Sequence, residues 1–232
     1  MNVLFVHGFG GAKGRVERAL SDVARASPHY LLPVRWPAGD LRELRARAVV
    51  EVARKVAEHR SLSKGLMQAA VQGGRQYSKA WDQAVANVPA GAAELAKSLE
   101  LAHATGNPTS IIAFSLGCRV LLYAAAAGAI VPGSIERLVF AGSAAPASTF
   151  DVIPPLLAGG TAVTHVFSKR DAVLDRLYPF GERRTVPSGR HPLDIPGVEN
   201  VEVDVGHRSY ASIAGVLWEL ALVAPDRTKL HA

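Results

Sequence analysis

The sequence predicts an α/β fold, a mostly parallel sheet of about six strands with helices on both faces. Two observations predict it. Short apolar runs alternate with longer amphipathic segments from end to end. Six strands alternating with helices imply a parallel sheet covered on both faces. No internal repeat or low-complexity tract appears, and the linkers are too short to divide the chain, so residues 1–232 read as a single domain.

The elements follow in order. "NVLFVHG" (2–8) is a short buried strand, and 14–26 a helix with Val16, Leu20, Val23 and Ala24 on one face. "YLLPVRW" (30–36) is a strand whose proline predicts an edge or a bulge. Asp40 caps the next helix, with Glu43 at the capping-box position and Leu41, Leu44, Val49, Val52 and Val56 as its apolar stripe. Residues 61–80 are less regular, broken by Gly65, Gly73 and Gly74. A helix near 81–104 ends at "GNP", a strand covers 109–114, and an alanine-rich helix covers 116–127. Further strands are predicted over 135–143, 161–168 and 198–205, and a last helix over 208–223. Segments 61–80 and 144–160 are candidate lids, with Leu66, Met67, Val71, Phe150, Ile153, Leu156 and Leu157 lining an acyl pocket or simply completing the core.

Composition narrows the function classes. Hydrophobic residues make up 49% and charged residues 20%, as in soluble globular proteins. The lone cysteine, Cys118, excludes an internal disulfide and points to a reducing, cytoplasmic setting; it reads as a packed helix residue. The N-terminus lacks a basic n-region and reads as a strand, not a signal peptide. No run of 18 apolar residues predicts a membrane span. The net charge of +6 is compatible with peripheral contact with anionic lipid. The basic residues are scattered on helix faces without a binding motif, which argues against nucleic acid. No H-E-x-x-H or Cys/His cluster suggests a metal, and no cofactor is expected.

The chemistry centres on "AFSLG" (113–117), a serine between a strand and a helix with glycine two residues on. This is the nucleophile-elbow pattern G-x-S-x-G, with Ala113 in the first glycine position. The turn lifts the Ser115 hydroxyl above the sheet and aims the Leu116 N–H at a developing oxyanion. A serine that only caps the following helix is the plainer reading. A second feature favours the elbow. "FVHGFGG" (5–11) follows the first strand and supplies, through the Phe9 N–H, a second oxyanion donor. Its glycines do not fit a phosphate loop, because neither G-x-G-x-x-G with a later ribose-binding acid nor G-K-[ST] is present. His7 reads as a structural hydrogen-bonding residue.

A serine needs a base, and the base an orienting acid. Asp171 lies just past the strand "TAVTHVF", and His207 just past "VENVEVDV", which puts both at the same sheet edge as Ser115, in the order Ser, Asp, His. Asp175 competes as the acid, and Asp204 is too near His207 to brace it. His165 is mid-strand and reads as core, and His191 lies in a Gly/Pro-rich loop. His29, His59, His103 and His231 read as surface.

Together, "AFSLGCRVL", "HVFSKRDAVLDRLYP" and "GVENVEVDVGHRSY" resemble an α/β-hydrolase, and more narrowly the family related to transmembrane and coiled-coil domain protein four. The likeness runs from the elbow through the final helix, about half of the chain. It implies the α/β-hydrolase fold without its first strands, a Ser115–Asp171–His207 triad, and hydrolysis of a small-molecule carboxylic ester or thioester through an acyl-enzyme. The alternatives are an acyltransferase on the same triad and a non-catalytic binding module of this fold.

Overall fold

The computed structural model describes residues 1–10, 14–39, 75–176, 178–182 and 185–223. The helix expected after Asp40, with its stripe, and the 61–74 part of the first candidate lid lie outside the described residues, as do His59 and His231.

Six parallel strands form one sheet in the order β2-β1-β3-β4-β5-β6. They are β1 Asn2–Val6, β2 Tyr30–Val34, β3 Thr109–Phe114, β4 Arg137–Ala141, β5 Ala162–Phe167 and β6 Val198–Glu202. Helices cover both faces, as the sequence predicts. Successive residues of each apolar run serve opposite faces. Leu4 and Val6 pack with Ile111, Ala113, Leu138 and Phe140 on one side, while Val3 and Phe5 pack with Ile112, Val139 and Ala141 on the other. The first face is covered by α2 (Val88–His103) and α3 (Gly117–Ala126), through residues such as Leu95, Leu99, Val120 and Leu121. The second is covered by α1 (Arg15–Arg25) and the last helix, Ala214–Leu222, through Val16, Leu20, Leu217 and Trp218.

β2 is an edge strand, where Pro33, lacking an N–H, does least harm to the ladder. From β1 the chain steps outward to β2 and then returns past β1 to β3. The strand order therefore reverses between β1 and β3, and the crevice beyond their carboxyl ends is where open α/β sheets hold ligands.

Two elements differ from expectation. The helix expected over 81–104 is two, residues 75–86 and α2, divided at Asn87. Pro89 opens α2 in its first turn, where the missing N–H costs nothing, and Asn87 Nδ2 donates to the Pro37 carbonyl at 2.8 Å. The last helix begins as a 3₁₀ segment, His207–Ile213, before turning α-helical. In the second candidate lid, Phe150, Ile153 and Leu156 are buried in the core, with Phe150 edge-on to Phe140 at 5.0 Å. Among the described residues no helix is long and apolar enough to cross a membrane.

Candidate active site

Ser115 follows β3 directly and has φ +56°, a left-handed backbone that non-glycine residues rarely adopt. It is held there from both sides: its N–H donates to the Ala141 carbonyl at 3.0 Å, and its carbonyl accepts the Ala144 N–H at 3.1 Å. The turn requires glycine on its helical side, since a Cβ on Gly117 would stand 2.2 Å from the Val6 carbonyl oxygen. Alanine at 113 is accommodated, fully buried in the core beside β1.

Ser115, His207 and Asp171, the three residues singled out from the sequence, meet. The Ser115 hydroxyl lies 2.9 Å from His207 Nε2, and His207 Nδ1 lies 2.6 Å from Asp171 Oδ2. With Nδ1 protonated, the imidazole donates to the carboxylate and accepts from the hydroxyl. Asp171 is fully buried, and its second oxygen accepts the N–H groups of Val173 (3.1 Å) and Leu174 (3.0 Å) at the start of a short helix, Ala172–Arg176. Both carboxylate oxygens are therefore satisfied.

The 3₁₀ opening of the last helix bears on the site. In a 3₁₀ turn, residues three apart lie on one side. His207 and Tyr210 accordingly both face Phe114, with ring centroids 4.9 and 5.3 Å away. The imidazole is thus held by a ring contact as well as by its two hydrogen bonds. Burial, and the nearby Asp171 charge after it, push the Tyr210 hydroxyl pKa up, so it stays protonated.

On the β1 side, Gly8 lies against the serine. The Trp36 indole donates to the His7 carbonyl at 2.9 Å and its ring stacks on the imidazole at 5.7 Å, while Gly10 N–H donates to Ala38. His7 Nδ1 lies 3.0 Å from the Gly8 carbonyl. Burial lowers the His7 pKa, so the ring is neutral and holds the loop. The Phe9 ring is fixed edge-on by Tyr77 (5.9 Å) and Trp81 (5.7 Å).

The competing residues lie elsewhere. Asp175 pairs with Arg190, and Asp204 with Arg170 at the surface (2.8 Å). His165 is fully buried mid-strand, its Nδ1 3.3 Å from Asn200 Oδ1, and burial pushes its pKa down to about 4. His191 is exposed. Cys118 is buried, its thiol 3.3 Å from the Ala113 carbonyl, and desolvation pushes its pKa up to about 12.

Two features escape the sequence. One is an apolar groove of about 540 Å³ between Val85, Val88, Leu122, Tyr123 and Val152, which does not touch the triad. The other is a cluster around Arg119, whose partners lie 25 to 63 residues away along the chain.

No protein-family model matches the chain. It is 33% identical over 122 residues to a rice (Oryza sativa subsp. japonica) "Transmembrane and coiled-coil domain-containing protein STS1". That match takes in 48% of this chain and 18% of the rice protein, so the chain spans under a fifth of its relative's length. Among solved structures, it is similar to a Xanthomonas campestris pv. campestris chain described as an inferred hydrolase of the alpha/beta superfamily. That similarity has a TM-score of 0.48, 17% identity and 95% coverage of both chains. The chain is an α/β protein with an all-parallel six-stranded sheet, and the segments after β3, β5 and β6 bring a serine, an aspartate and a histidine into hydrogen-bonded contact.

Proposed function

We propose that this chain is a serine hydrolase of the α/β-hydrolase type that cleaves a small-molecule carboxylic ester or thioester. The observation that supports it is the hydrogen-bonded series Ser115–His207–Asp171, at 2.9 and 2.6 Å, with Ser115 beside the switch point of the sheet.

In this reading His207 Nε2 takes the Ser115 proton as Oγ attacks the acyl carbonyl, and Asp171 stabilises the imidazolium. The tetrahedral oxyanion is received by the N–H groups of Leu116 and Phe9, the first at the N-cap of α3. His207 then hands its proton to the leaving alkoxide or thiolate. Water, deprotonated by His207, attacks the acyl-enzyme and returns free Ser115 and a carboxylic acid. Esters and thioesters are favoured over amides because their leaving groups depart more readily.

The test is Ser115→Ala on short p-nitrophenyl esters, with fluorophosphonate labelling of the wild type. We expect labelling at Ser115 and loss of turnover by ~10⁴-fold or more in the variant. Wild-type turnover in folded Ser115→Ala overturns the assignment.

A further inference from the structure

Arg119 lies in the first turn of α3, four residues after Ser115. Its guanidinium makes three polar contacts in three directions. Nε donates to the Ala144 carbonyl at 2.8 Å, Nη2 donates to the Tyr178 hydroxyl at 2.9 Å, and Nη1 pairs with Glu182 Oε1 at 2.8 Å. The Trp81 indole donates to that same carboxylate oxygen at 3.1 Å, and the guanidinium carbon lies 6.0 Å from the Trp81 ring centroid and 5.8 Å from that of Tyr178. The ion pair is mostly withdrawn from water, with side-chain exposures of 14% and 20%.

One end of this cluster meets the Ser115 elbow, and the other lies on the segment that follows Asp171. The Ala144 N–H donates to the Ser115 carbonyl at 3.1 Å, so the residue whose carbonyl Arg119 holds also fixes the elbow. Tyr178 and Glu182 belong to the segment that follows Asp171. That segment is tied back to the loop after β4, through Ser188 N–H to the Ala145 carbonyl (2.8 Å) and Gly189 N–H to the Ser143 carbonyl (2.9 Å). A buried ion pair is weak evidence for stability, and α3 is already anchored by buried Val120, Leu121 and Leu122. What the planar fork supplies is direction: one rigid group ties three segments at set angles, which a lysine ammonium cannot do.

We propose that Arg119 is a positioning residue that couples the Ser115 elbow to the segment after Asp171 and so sets the geometry of the serine, imidazole and carboxylate. Its catalytic consequence rests on the serine hydrolase reading.

The experiment compares the full-length wild type with Arg119→Lys, Arg119→Ala and Glu182→Gln. It measures kcat and KM separately, the rate of fluorophosphonate labelling, the melting temperature, and the downfield proton resonance of the His207 Nδ1–H. In Arg119→Ala we expect kcat to fall ~10–100-fold with KM within about twofold, as for a displacement of about 1 Å. Methylguanidinium should restore part of the loss. Arg119→Lys should remain impaired despite keeping its charge, and Glu182→Gln should lose less, since its amide oxygen still accepts. Arg119→Lys with wild-type kcat and labelling overturns the proposal, and decides the matter if Arg119→Ala does not fold. If the wild type neither turns over esters nor labels, the hydrolase reading fails instead. The His207 resonance then decides the positioning: a shift or loss in folded Arg119→Lys supports it, and an unchanged signal overturns it.

Discussion

Gly8 and Ser115 stand so close that a Cβ on Gly8 would lie 2.6 Å from the serine Cβ and 3.1 Å from its hydroxyl oxygen. The loop after β1 and the turn after β3 therefore share one space, and only a missing side chain lets both occupy it.

Gly8→Ala should force one of them to move. The neighbouring Phe114 carbonyl, 3.0 Å from the same point, closes the other way out. We expect destabilisation of about 1–3 kcal/mol in urea denaturation. Fluorophosphonate labelling should fall more than melting temperature implies, because the displaced atom carries the nucleophile. Unimpaired labelling would show that the loop yields freely.

Asp171→Asn should preserve the fold and remove the chemistry. Its Oδ1 can still accept the Val173 and Leu174 N–H groups, but an amide NH₂ facing His207 Nδ1 selects the wrong tautomer. Turnover should drop by ~10⁴-fold with little change in the denaturation midpoint. A loss under tenfold would shift the acid's role to another residue.

Stability should fall on mild acidification through His165. Its pKa, pushed down to about 4 by burial, lies below the ordinary value of 6.5 that the unfolded chain recovers. Between those values the unfolded state binds the proton and the folded state does not. Stability from this residue is therefore complete above pH 6.5 and is lost as pH falls toward 4, by up to about 3 kcal/mol. Denaturation midpoints at pH 7.5 and pH 5 should differ less in His165→Gln than in the wild type, and equal slopes would remove the assignment.

Cys118 should be inert to alkylation in the folded protein. Its thiol is fully buried, and desolvation pushes its pKa up to about 12, so almost no thiolate forms at neutral pH. Iodoacetamide modification at pH 8, followed by mass, should keep pace with unfolding in urea. Rapid modification without denaturant would mean that α3 opens locally.

The meeting of Ser115, Asp171 and His207 was legible because each of the three comes shortly after the end of a strand-like run. Ser115 follows "SIIAF", Asp171 follows "THVF", and His207 stands close behind "VEVDV". Ends of runs are local information. The division at Asn87 was not legible: Pro89 fits the start of a helix, but the continuous apolar periodicity across it masks the break. Arg119 was not legible. Alone, it is one more cation on a helix, and its meaning depends on Ala144, Tyr178 and Glu182, which reach it only after the sheet has formed. The 3₁₀ turn at His207, which sets His207 and Tyr210 together against Phe114, was likewise not read from "HRSYASI".

Asp171 has a double duty: one oxygen begins the helix at Ala172–Arg176, and the other orients the imidazole. That helix is only five residues long and cannot sustain itself without such an anchor. Fraying there would release the acid while the six strands remain paired. Under gentle heating or dilute denaturant, this protein should fall silent before it comes apart, and recover as soon as one turn of backbone rewinds.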